Sequence, residues 1–267
     1  MNESGENVKL SAGNSRLKEI RKLARRAVRT ERRVFLADGP KAVEGALGVP
    51  GCVQEIFATE AGAETYASVL AGQSVTLVED RAMAGLSDSV TPAGVVALCR
   101  FLDVPLDDIA GPLVVICADV RDPGNAGTVI RCADAAGASG VILAGDSVDL
   151  YNPKTIRASV GSAFHLPIAI ERDPLVAVKA VKAAGLTVLA ADMHGTADLF
   201  TADALLARPT AWLMGNEAWG LPPELAAEAD EIVSIPIFGK AESLNLSTAA
   251  ALCVYASAKA QRREVSS

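Results

Sequence analysis

The chain predicts an α/β fold with a mostly parallel sheet, preceded by a smaller α/β domain. Three observations carry this reading. Short apolar runs alternate with stretches of helical spacing along most of the length. Half of the 267 residues are hydrophobic but only 4% are aromatic, so the core must rest on Val, Leu, Ile and Ala, as suits buried parallel strands covered by helices. Phe101 to Pro112, with Pro105, Pro112 and several aspartates, divides the pattern in two and reads as a linker.

In chain order, residues 1–13 are polar and Gly-containing and are expected to be disordered. Residues 16–33 carry nine cations, Arg21, Arg25 and Arg29 among them, against Glu19 and Glu31. Leu17, Ile20, Leu23, Ala24, Ala27 and Val28 recur at helical spacing, so one amphipathic helix with a basic face is expected. A solvated surface helix is the plainer account. In an otherwise acidic chain a phosphate-rich partner is the better one.

Strands then follow at Val34 to Ala37, Cys52 to Ala58, Val75 to Val78 and Val95 to Cys99, with helices at Pro40 to Leu47, Ala61 to Leu70 and Arg81 to Leu86. They complete a small domain over 14–100. Residues 113–267 hold longer apolar strands: Leu113 to Ala118, Gly140 to Ala144, Leu166 to Ile170, Thr187 to Ala191, Ala211 to Met214 and Glu231 to Ile237. Helices fall between them at Ala126 to Ala136, Pro153 to Ser162, Pro174 to Ala184, Ala202 to Ala207 and Pro223 to Glu228. A last helix runs from about Thr248 to Arg262.

The formal net charge of −7 argues by itself against nucleic acid; the clustering of cations near the N-terminus argues for it. Five scattered cysteines without CxxC read as buried thiols, and two histidines leave little for a metal site or a Ser-His-Asp triad. His165 and His194 read as structural or surface residues. With no apolar run of spanning length and no signal peptide, a cytoplasmic protein without membrane or metal is expected.

Three segments place polar groups in apolar surroundings. In Asp122-Pro123-Gly124-Asn125-Ala126-Gly127, Pro123 and Gly124 force a turn after a buried strand, and Asn125 is a candidate helix cap. Arg131 lies in the helix that follows; an ordinary i,i+3 pair with Asp134 and a functional role are equally open. Met214-Gly215-Asn216-Glu217 ends another strand, where Gly215 would give a ligand access to the backbone, while Asn216 and Glu217 could equally form a turn and cap before Pro222 and Pro223. Trp219 nearby reads as packing. In the third segment, Ser243 and Asn245 flank Leu244, and Asn245 or Ser247 could equally cap the last helix. Asn152 is a possible cap for a further helix start, where Lys154 and Arg157 lie one turn apart; a shared phosphate contact and a plain solvated helix start are equally open. A nicotinamide fold is a weak competitor, since the first turn lacks the G-x-G-x-x-G spacing.

Taken together and in this order, the segments resemble the SpoU/TrmH family of RNA ribose 2′-O-methyltransferases, of the SPOUT class. The matching residues are Asn125 and Arg131, then Gly215, Asn216, Glu217 and Gly220, then Ile235, Pro236, Ser243, Leu244 and Asn245. The resemblance covers roughly residues 111–264. The first domain is similar in layout to the L30e-like substrate-binding domain of two-domain ribosomal RNA methyltransferases, the thiostrepton-resistance enzymes among them. The resemblance implies a SPOUT-type fold with a C-terminal trefoil knot, a homodimer and S-adenosylmethionine as methyl donor. The donor would be held near Leu213, Met214, Gly215, Asn216, Ile235, Pro236, Leu244 and Leu246. It implies catalysis by Arg131 with Asn125, Glu217, Ser243 and Asn245, and a substrate-handling role for Arg157. Ribosomal RNA, 23S in particular, is favoured over transfer RNA because of the basic N-terminal domain. The alternatives are a transfer-RNA enzyme of the same family and an RNA-binding protein without chemistry.

Overall fold

A computed structural model describes residues 9–264 as two compact units. The first comprises residues up to Phe101 together with Tyr151–Phe164; the second comprises Leu102–Leu150 and the chain from His165 onward.

The first unit opens with helices α1 (Ser15–Arg21) and α2 (Arg26–Arg32), joined by a 3-10 turn at Lys22–Ala24. The single helix expected over 16–33 is therefore broken. Arg25 leaves helical geometry at φ −88° and ψ 126°. The break lets the Arg29 guanidinium, only 3% exposed, donate to the carbonyls of Leu23 (2.6 Å) and Ala24 (2.9 Å). Those carbonyls end the first helical stretch and have no partner further along it. Arg29, expected on a phosphate-binding face, is thus a buried structural donor. Arg29→Ala is expected to destabilise this unit by about 2–3 kcal/mol, since two charge-assisted bonds are lost and the buried Leu23 carbonyl is left unmet. Thermal melting checks this, with Arg26→Ala, at an exposed position, as the silent control.

Strands β1 (Val34–Asp38), β2 (Val53–Ala58), β3 (Val75–Leu77) and β4 (Val95–Arg100) form a sheet in the order β1-β4-β2-β3. β4 runs antiparallel to both β1 and β2, while β2 and β3 are parallel. Helices α3 (Pro40–Leu47), α4 (Glu60–Thr65) and α5 (Asp80–Leu86) connect them. Leu17, Ile20 and Leu23 pack with Phe57, Val78, Met83 and Val96 in one core. Leu10, in the stretch expected to be disordered, pairs with Val78, its N–H donating to Leu77 O at 2.9 Å. Its apolar side chain joins the same core. Residues 1–8 of that stretch lie outside the described residues.

The second unit is built on β5 (Leu113–Ala118), α6 (Pro123–Ala136) and β6 (Gly140–Ala144). The chain then contributes helix α7 (Pro153–Ser159) to the first unit. Sequence reading places this helix in the C-terminal domain. Its attachment is aromatic: the Tyr151 ring stacks on Phe101 at 3.7 Å and meets Phe35 at 4.7 Å, contacts between residues distant in sequence. Back in the second unit come β7 (Ile168–Glu171), α8 (Pro174–Ala183), β8 (Thr187–Ala191), β9 (Ala197–Asp198), α9 (Asp203–Leu206), β10 (Thr210–Met214), α10 (Pro223–Ala226), β11 (Glu231–Ser234) and α11 (Leu246–Glu264).

Among the described residues these strands make a seven-stranded sheet, β7-β6-β5-β10-β8-β11-β9, parallel at every pairing. β5, β6 and β10 are buried along their whole length, which explains their unbroken apolar sequences. The expected linker is partly absorbed here: Val104 N–H donates to Ile168 O at 3.0 Å and Ile109 is buried in the core. α11 is tied down by the buried bond from Trp212 Nε1 to Ser257 Oγ (2.9 Å) and by Gln261, which donates to the carbonyls of Pro112 and Arg208. Among the described residues no helix is long and apolar enough to cross a membrane.

Candidate active site

A cleft of about 510 Å³ opens beyond the carboxyl ends of β8, β10 and β11, where ligands of open α/β sheets collect. β10 delivers Met214 and Gly215 to it, β8 delivers Ala191 to His194, and the chain after β11 delivers Ile235, Ile237 and Glu242 to Leu244. β11 is shorter than the expected Glu231 to Ile237: it ends at Ser234, and the residues that leave the sheet line the cleft.

Asp119, just past β5, sits in the left-handed region at φ 56°. Its carbonyl accepts from Asn216 Nδ2 at 2.6 Å, which ties the first polar segment to the second. Asn216 and Gly220 exchange backbone bonds of 2.9 and 3.0 Å, closing a turn with Glu217, Ala218 and Trp219 at its tip. Glu217 then joins the segments. Its carboxylate accepts from the N–H of Arg121 (3.3 Å), the N–H of Asp122 (3.2 Å) and Asn125 Nδ2 (3.3 Å). Asn125 Oδ1 in turn accepts from Asn245 Nδ2 at 3.0 Å, bringing in the third segment.

Asn245 also accepts from Ser247 and Thr248 at the start of α11, so it serves as a helix cap as well as a bridge. Asn125 is not the cap of α6; Asp122 is, accepting from Asn125 N–H at 2.7 Å. Pro123 at the first helical position starts the helix earlier than expected. That frees the Asn125 amide for Glu217 and Asn245.

Of the residues expected to hold a cofactor, Met214, Gly215, Asn216, Ile235, Leu244 and Leu246 line the cleft, as does Ser243. Leu213 does not: it alternates to the other side of β10 and is fully buried in the core. Pro236 is not on the lining either. Arg131 is exposed and outside the cleft, and its guanidinium makes no hydrogen bond or ion pair among the described residues. Asp134, its expected partner, is instead bonded by His165 Nδ1 at 2.8 Å.

The expected RNA contacts are scattered within the first unit. Arg25 and Lys154 are exposed. Arg21 folds back over Gly85, leaving no room for a Cβ there. Asn152 caps α7 as expected, accepting from Lys154 N–H at 2.9 Å. Arg157 pairs with Asp38 (3.5 Å) and Asp88 (3.3 Å).

Sequence reading missed the wall made by Asp192, Met193 and His194, and placed His194 among structural or surface residues. The available signal was positional: these residues follow a strand that the sequence does predict, at its carboxyl end. Gly195 marks the spot, since a Cβ there would lie 2.6 Å from Ser234 N. Cys117, buried at the end of β5, has its thiol pushed up to about 12, by burial first and the nearby Glu217 charge second. It stays protonated and inert at neutral pH.

A parallel sheet with a cleft over its carboxyl ends, lined by apolar side chains and carboxylates, has the layout of an α/β enzyme. The chain belongs to the SpoU rRNA methylase family, whose model matches residues 112–255. Residues 14–97 match the MRM3-like substrate binding domain. A curated relative is the 23S rRNA (guanosine(2553)-2′-O)-methyltransferase RlmP of Bacillus subtilis, 34% identical over 92% of this chain and 96% of that protein. The AdoMet-bound rRNA methyltransferase of Sinorhizobium meliloti superposes with a TM-score of 0.82 at 36% identity, covering 97% of each chain. The SpoU methyltransferase AviRb of Streptomyces viridochromogenes gives a TM-score of 0.83 at 30% identity, over 94% of this chain and 99% of that one.

Proposed function

We propose that the protein transfers a methyl group from S-adenosylmethionine to a ribose 2′-hydroxyl of 23S ribosomal RNA, as a cytoplasmic homodimer. The observation that carries this is the hydrogen-bonded junction of Asn125, Glu217 and Asn245 beside the cleft. It joins three segments distant in sequence at one place. The names of the curated relative and of the AdoMet-bound structure supply the reaction and its donor.

The cleft fits the donor. Met214, Ile235, Leu244 and Leu246 offer an apolar slot for adenine, and Gly215 on the same lining is bare because the Gly220–Leu221 backbone packs against it. Asp192, Glu217 and Glu242 bring negative charge to a ligand bearing a sulfonium. When bound, S-adenosylmethionine supplies an electrophilic methyl group. The protein's own task is to hold a ribose oxygen in line with it, and positioning alone can lower the barrier by several kcal/mol.

Arg131 is six residues from Asn125 on α6, about 120° around the helix. One copy of α6 therefore does not turn both residues toward one cleft. In a homodimer, Arg131 of a second copy faces the cleft, gripping a phosphate and stabilising the developing alkoxide. Ser243 and Asn245 orient the ribose. Arg25, Lys154 and Arg157 contribute to RNA binding, with Arg157 held by Asp38 and Asp88. A trefoil knot is supported by the late entry of β10 between β5 and β8 and by α11 packing back on α6.

Incubation of unmodified total RNA with labelled donor tests the reading. One labelled ribose in 23S rRNA is expected; label confined to transfer RNA would reassign the substrate. RNA affinity without donor binding in calorimetry would remove the enzymatic reading.

A further inference from the structure

We infer that Trp219 is the platform on which the base of the target nucleotide stacks while its ribose enters the cleft. The assignment rests on the proposed methyl transfer to RNA and names how one nucleotide is held. A lone tryptophan is normally buried, and Trp212 is fully so. Trp219 instead lines the cleft while 54% exposed.

Its position is fixed by the fold. The Asn216–Gly220 backbone pair closes the turn that carries it, and Asn216 Oδ1 accepts from Ala218 N–H at 2.8 Å inside that turn. The Arg121 guanidinium lies 5.0 Å from the ring centroid and contacts Asp146 at 3.7 Å. Arg121 is itself anchored through its N–H to Glu217. The indole is therefore held by a cation on one side while more than half of the residue stays accessible.

An amphipathic ring held at a cleft mouth suits a splayed-out nucleobase, because every base has a face that stacks on an aromatic. Glu217 and Trp219 are two residues apart on one turn. The group that links the catalytic segments and the group that takes the base are thus built as one piece. Stacking does not distinguish the four bases, so this platform accepts a nucleotide by its being unpaired.

Trp212 is buried, so Trp219 is the accessible fluorophore of the two tryptophans. With saturating S-adenosylmethionine, a mixed-sequence single-stranded RNA of about ten nucleotides is expected to quench the emission of the unaltered protein. Trp219→Leu should abolish the quenching. Trp219→Ala should raise the KM for unmodified 23S rRNA roughly tenfold or more and leave donor affinity by calorimetry within about twofold. Trp219→Phe should recover most of the loss. Weakened donor affinity with unchanged RNA KM would make Trp219 a wall of the donor pocket and overturn the platform. So would unchanged RNA kinetics in Trp219→Ala, or a shift of its oligomeric state in size-exclusion chromatography. A protein that binds no donor and transfers no methyl fails the proposed function instead, and RNA quenching of Trp219 still decides the platform.

Discussion

Arg131→Ala is expected to bind S-adenosylmethionine as the unaltered protein does and to transfer methyl groups at least about 100-fold more slowly. The side chain is exposed and lies outside the cleft, so its removal costs neither core packing nor donor contacts. A guanidinium keeps its proton at working pH, so the loss is of electrostatic stabilisation and phosphate grip, not of a base. Asp134 on the same helix is occupied by His165 and does not quench the Arg131 charge.

Subunit mixing decides where the guanidinium acts. Combining Arg131→Ala with Glu217→Ala, each inactive alone, makes mixed dimers in which one site lacks both groups and the other lacks neither. If Arg131 serves the partner's cleft, an equal mixture should regain about a quarter of full activity by random pairing. If it serves its own cleft, mixing restores nothing, and the two-copy site is wrong.

The sheet was legible because its strands are buried on both faces: Leu113–Ala118 and Gly140–Ala144 fall where unbroken apolar runs place them. The junction at Glu217 was legible only as three candidate segments. Its bonds join residues up to 120 positions apart, and a local pattern carries no record of such pairings. Two departures have one cause. Arg29 looked like part of a basic face and Trp219 like part of a core, because periodicity assigns burial by residue type and position alone. The break at Arg25 reverses the first, turning Arg29 inward onto carbonyls. The closed turn at Asn216 and Gly220 reverses the second, carrying Trp219 out to the cleft mouth. Both reversals are set by backbone geometry that residue types do not announce.

Gly215→Ala is the second large effect expected. A Cβ at this position would lie 2.5 Å from the carbonyl carbon of Gly220, 2.6 Å from its oxygen and 2.7 Å from Leu221 N. All three are backbone atoms, with no flexible side chain to yield, so the turn must open. Opening breaks the Asn216–Gly220 pair and moves Glu217 away from Arg121, Asp122 and Asn125 together. Overpacking of this kind costs about 1–3 kcal/mol, enough to lower the melting temperature by several degrees, at about 2–4 °C per kcal/mol for a chain of this size. Donor affinity should fall tenfold or more, and methyl transfer should be undetectable. Gly239→Ala is the matched control: it lies in the third segment with nothing within 4 Å of its would-be Cβ. If Gly215→Ala binds donor and melts like Gly239→Ala, the turn is not the rigid support of the site, because a displaced backbone would then be compatible with an intact cleft.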